Sequence, residues 1–136
     1  MASATVQWIG GKRFVGIDSS NHSVVLSTAD EGVGMKPSEL LLVALASCSS
    51  VDVVEIMTKK RQPLTSFNVQ ISGEQEVDPP WTYRKIYIKY IVSGKNIVEK
   101  DLAQAIALSE DKYCSVAATV KGKAELITSY EIVPLE

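Results

Sequence analysis

Two cysteines are the residues of this 136-residue chain best suited to chemistry, and they stand 66 positions apart, at 48 and 114. The first lies inside "SELLLVALASCSSVDVVEIM" (38–57), an otherwise apolar run. A buried thiol is by default a small hydrophobe that fills space. Its neighbours argue for more: Ser47, Ser49 and Ser50 flank Cys48. Serine disfavours a helix interior because its hydroxyl competes for backbone hydrogen bonds. A run of small residues also opens a gap in a bulky wall, where another element or a substrate can approach.

Asp52 follows one turn after Cys48, on the same helical face. A carboxylate there raises a thiol's pKa, so a reactive Cys48 calls for a positive partner from elsewhere. The arginines are Arg13, Arg61 and Arg84. Arg61 is about 20 Å further along the helix, which leaves Arg13, Arg84 or a lysine. Cys114 sits in "KYCSVA", again beside a serine and at the end of an apolar segment. Two such thiols allow a dithiol–disulfide cycle or two inert packing residues. Geometry decides, because a bridged pair needs Cα atoms within ~7 Å.

Other chemistries find little support. There is no C-x-x-C pair and His22 is the single histidine, so a zinc site is not expected. His22 lies in the polar stretch "SSNHS" and reads as a turn or strand-edge residue. Net charge is −2, and no basic cluster exceeds Lys59-Lys60-Arg61. That balance favours neither nucleic acid nor a membrane surface as partner. The stretch "MASATVQWIGGKRF" lacks a signal-peptide core, and Asp52 and Glu55 make 40–57 a poor membrane span. Two cysteines are too few for a secreted disulfide scaffold. A cytoplasmic protein is therefore expected. With 46% apolar and 22% charged residues, the chain reads as one folded domain over 1–136, long enough to bury a core.

The elements that must position the thiols follow from pattern. "TVQWI" (5–9) and "RFVGI" (13–17) have β character and flank Gly10-Gly11, a hairpin signal. "HSVVLST" (22–28) gives a third strand. Pro37 suits the first turn of a helix running to about Lys60. Residues 40–48 are apolar or small without a break, which predicts burial on nearly all sides. "FNVQISGEQE" (67–76) alternates as a half-buried strand, and "TYRKIYIKYIV" (82–92) gives another. Trp81 and Tyr83, after "DPP", read as packing aromatics. A second helix fits 98–111, with Leu102, Ala105, Ile106 and Ser109 at helical spacing. Residues 112–120 form a short helix or turn, and "AELITSYEIV" (124–133) closes with a strand. The fold class is α+β: a mostly antiparallel sheet, a long buried central helix and a second helix. So long an apolar helix has more greasy surface than one small sheet covers, which points to dimerisation.

With these residues in hand, the sequence resembles the family of osmotically inducible protein C and organic hydroperoxide resistance protein (OsmC/Ohr). The resemblance is carried by the N-terminal strands, by "KPSELLLVALASCSSVDVV", and by a second cysteine in "SEDKYCSVA". It implies an intertwined homodimer with the long helices at its centre and sites at the subunit interface. It implies thiol-dependent reduction of organic hydroperoxides: Cys48 attacks the peroxide and becomes a sulfenic acid, and Cys114 closes a disulfide. A lipoylated protein or small dithiol then reduces the bond, with no metal or organic cofactor. The resemblance matches Arg13 in "GGKRF" to the family arginine and Glu39 to its glutamate. An arginine–carboxylate pair would stabilise the thiolate and orient the peroxide.

The chain departs from the family pattern at named places. Ser115 follows Cys114 where a proline is usual. Ser38 follows the helix-starting Pro37 where the glutamate is usual, with Glu39 one step late. One step turns a side chain by about 100°. Glu39 also suits the helix dipole as a first-turn acid. It stands about 13 Å from Cys48 along the helix, so it acts there only through a bridging arginine or across a dimer. These departures support an alternative reading: a non-catalytic protein of the same fold that binds a small apolar or thiol-bearing molecule.

Overall fold

The computed structural model describes residues 1–135. Its contacts gather into two compact units, Met1–Leu41 and Leu42–Glu136. The first is an antiparallel meander of β1 (Ala4–Trp8), β2 (Arg13–Asp18) and β3 (Ser23–Ser27). Gly10 and Gly11 take φ of +104° and +55° in the first hairpin, a region open to glycine at no steric cost. The second turn is built by Asp18, whose carboxylate accepts the N–H groups of Ser20 at 3.0 Å and His22 at 2.8 Å. After β3 the chain folds back on itself, Met35 donating to the Val25 carbonyl at 3.0 Å. A side chain at Gly34 would collide with the Val25 backbone at 2.7 Å, so this close return requires glycine. Pro37 then opens helix α1 (Pro37–Lys59), which carries the chain into the second unit.

In that unit β4 (Ser66–Gln75) pairs antiparallel with β5 (Tyr83–Ser93), and β5 pairs parallel with β6 (Glu125–Ile132). A parallel neighbour needs a crossover. Here it is α2 (Glu99–Leu108), a π turn over Ser109–Tyr113 and α3 (Ser115–Val120). The expected mostly antiparallel sheet is thus two separate three-stranded sheets, one containing a parallel pair. Alternation along a strand records which face is buried and not which way the strand runs. The fold class remains α+β.

Ile86, Ile88, Tyr90 and Val92 on one face of β5 are buried against Leu45, Val53 and Met57 of α1 and Leu102, Ala105 and Ile106 of α2. The buried positions of α1 are Leu42, Leu45, Ala46, Ser49, Val53 and Met57, a single helical stripe. The expectation that residues 40–48 of α1 are buried on nearly all sides does not hold within one chain: Leu41 and Val43 are 40% and 44% exposed. Further along the helix, where solvent exposure on one face is expected, Val51 and Val54 are 65% and 42% exposed. By length and composition α1 suffices to cross a membrane; in this fold its buried stripe packs against protein.

Helix α2 is tied to the residues after α1 by polar groups at its start. The buried Gln62 side chain accepts the Val98 N–H at 2.8 Å and donates to Asp101 at 2.6 Å. Lys60 adds bonds to Asp101 at 3.4 Å and Gln104 at 2.6 Å. These contacts satisfy N–H and carboxylate groups at a helix N-terminus that has no side-chain N-cap of its own.

Candidate active site: a pair of unequal thiols

Cys48 projects from the middle of α1 and is half-buried; Cys114 is 2% exposed and lies where the π turn meets α3. Folding brings them together although 66 positions separate them. Both are free, and the two thiols lie close enough for each to shift the other's ionisation. Cys114 also N-caps α3, its Sγ accepting the Ala117 N–H at 3.3 Å. The fully buried Ser49 hydroxyl reaches the same sulfur at 3.7 Å.

The surroundings drive the two ionisations apart. Burial pushes the Cys48 thiol up, but the neighbouring Cys114 thiol lowers it, and the N–H groups of Val116 and Ser115 and the Ser115 hydroxyl donate to it. Together these prevail, and Cys48 lies below the usual cysteine range. Burial and the neighbouring Cys48 push Cys114 up. The Ala117 N–H and Ser49 offset only part of that rise. Cys48 is therefore the thiol that ionises first, while Cys114 keeps its proton. A thiolate is the nucleophilic form. The pair thus offers an attacking sulfur next to a protonated one, the arrangement needed for an oxidised sulfur to be met by a second thiol.

The cation demanded by the sequence argument is replaced, within this chain, by neutral donors at the start of α3. Ser115 supplies two of them. A proline there would have no N–H to give. Arg84, in the same unit as the sulfurs, extends instead to Glu76 at 3.2 Å. Arg13 and Glu39 belong to the first unit. The Arg13 Nε donates to the Gly10 carbonyl at 3.2 Å and lies 3.5 Å from Glu31. Glu39 lies in the first turn of α1, 3.9 Å from Lys36. Each of these two thus has its own ion-pair partner within that unit.

Asp52 differs from its sequence reading. Its carboxylate accepts the Ser109 hydroxyl at 2.9 Å. Ser109 is fully buried, and its Oγ is also 3.2 Å from the Ser49 carbonyl. Beneath this cluster Tyr90 is fully buried with its hydroxyl facing Ser49, and burial pushes its phenol well above the usual range. From the sequence Ser109 stood only as a member of the apolar stripe after Leu102, Ala105 and Ile106, and Ser115 only as a departure from the family pattern. Ser109 carried a signal, a hydroxyl on the apolar stripe of α2. Among the described residues no three His, Cys, Asp or Glu side chains gather as a metal site.

Residues 28–129 match the family of OsmC-like proteins. Protein YhfA of Escherichia coli (strain K12) is 32% identical over 130 residues, which span 96% of this chain and 97% of YhfA. The crystal structure of a hypothetical protein from Aquifex aeolicus VF5 superposes with a TM-score of 0.90 at 34% identity, covering 100% of this chain and 98% of that one. The organic hydroperoxide resistance protein OhrB of Bacillus subtilis has the same fold, with a TM-score of 0.65, 13% identity and coverage of 96% and 98%.

Proposed function

The chain belongs to the OsmC-like protein family, and on that premise we propose that it is a two-cysteine peroxidase acting on organic hydroperoxides. The observation that carries this reading is the neighbouring thiol pair with opposed shifts, Cys48 down and Cys114 up. The Cys48 thiolate attacks the distal peroxide oxygen. The O–O bond breaks, the alkoxide leaves and takes a proton from solvent, and Cys48 becomes a sulfenic acid. The sulfur loses two electrons and the peroxide becomes an alcohol. Cys114 then attacks the Cys48 sulfur, the S–O bond breaks, and the hydroxide departs with the Cys114 proton as water. A dithiol, free or carried by a lipoylated protein, reduces the disulfide and is itself oxidised. Arg13 and Glu39 are proposed to orient the peroxide. The active form is a cytoplasmic homodimer.

Titrating the reduced protein with cumene hydroperoxide tests the reading. Loss of both thiols, one peroxide consumed per chain, is expected, with none consumed by Cys48→Ser. Survival of two free thiols in excess peroxide removes it and leaves the binding protein as the reading that fits.

A further inference from the structure

Disulfide closure depends on where the Cys114 backbone is held, and the structure shows the holding contacts. The Cys114 N–H donates to the Ser109 carbonyl at 2.7 Å, which closes the π turn. The Ser109 side chain faces α1. Its hydroxyl lies 2.9 Å from the Asp52 carboxylate and 3.2 Å from the Ser49 carbonyl, its one proton shared between two acceptors. Ser49 is the immediate neighbour of Cys48 and reaches back to the Cys114 sulfur. One residue thus joins the segment bearing Cys114 to the turn of α1 bearing Cys48. An alanine at 109 would fill nearly the same space without a hydroxyl to desolvate. A buried hydroxyl is costly unless bonded, and here both its bonds go to α1.

We infer that Ser109 and Asp52 form a latch that sets the Cys114 thiol against Cys48 and so governs the rate of disulfide closure. Neither touches a sulfur; both are positioning residues. The inference rests on the proposed cycle only for its biological use, since closure can be driven without peroxide. The Cys48 thiolate attacks the disulfide of dithiobisnitrobenzoate; the reagent's S–S bond breaks, a mixed disulfide forms on Cys48 and one aryl thiolate leaves. Cys114 then attacks the Cys48 sulfur of the mixed disulfide, the first S–S bond breaks, and a second aryl thiolate leaves. The second phase reports closure alone.

In Ser109→Ala and Asp52→Ala the second phase slows about 10- to 100-fold relative to the first, the scale expected when a reacting atom is misplaced by about 1 Å. Ser109→Thr, which keeps the hydroxyl, restores it, and so does Asp52→Asn, whose amide oxygen still accepts. With hydroperoxide as oxidant, the Cys48 sulfenic acid of the two alanine variants is trapped by dimedone in higher yield than in wild type. Asp52→Ala carries the test should Ser109→Ala fail to fold. Closure as fast as wild type in the alanine variants overturns the latch. Equal slowing in Asp52→Asn and Asp52→Ala also overturns it, because the effect would then belong to charge. A wild-type Cys48 that closes from the mixed disulfide but ignores hydroperoxide overturns the proposed function and leaves the latch standing.

Discussion

Ser115 is the residue at which the difference from the family pattern acquires a physical meaning. Its N–H and hydroxyl both donate to Cys48, with the Val116 N–H beside them. A hydrogen bond to a charged group contributes more than one to a neutral group, so these donors favour the thiolate over the thiol. The Cys48 thiolate population rises with pH through a pKa held below that of a free cysteine; Cys114 follows at higher pH. Alkylation of wild-type Cys48 by iodoacetamide is therefore expected to stay fast at pH values where a model thiol has slowed. Ser115→Pro removes the N–H and the hydroxyl together. Its alkylation rate at neutral pH should fall roughly ten-fold, the equivalent of one pKa unit, and competing pH–rate profiles of the two proteins check it. An unchanged profile would assign the low Cys48 pKa to the remaining donors.

Among the elements, α2 matters most, because the segment it launches delivers Cys114. It is fastened near its start by Gln62 and beyond its end by Ser109. Gln62→Ala leaves the Val98 N–H without its acceptor and takes from Asp101 the shorter of its two bonds, the one to Lys60 remaining. That should cost about 1–3 kcal/mol, measured as a lower urea midpoint at unchanged slope. Most elements were legible in the sequence. Gly10-Gly11, Pro37 and the alternation in 67–76 mark their boundaries with local chemistry, and the strands and long helix end within a residue or two of those marks. The thiols were legible as candidates, but their contact was not, since it depends on a crossover encoded by no local pattern. Ser109 had the right spacing for an apolar stripe, and spacing says nothing of a bond to Asp52. Likewise the unbroken Leu-Val-Ala run of α1 could not reveal which face stays uncovered, because no polar residue marks it.

At the scale of the whole molecule, that uncovered face is the main unresolved surface. Val43, Val51 and Val54 are among the large apolar side chains of α1 left open to water. Apolar surface of this kind on a helix marks an association site more often than a solvated one. A second copy is the occupant the proposed function requires. Sedimentation equilibrium is expected to return twice the 14.8 kDa of one chain. Val51→Glu should shift the mass toward the monomer and lower peroxide turnover with it. A wild-type mass of one chain would exclude a shared site.

The parallel pairing of β5 with β6 has a consequence for biosynthesis. The segment bearing Cys114 is the bridge between those two strands, so it reaches its place only after β6, the last strand, has been made and added to the sheet. A nascent or truncated chain holds two isolated sulfhydryls with no reason to differ from those of glutathione. On the proposed cycle, the paired thiols are therefore assembled only when the final strand joins the sheet.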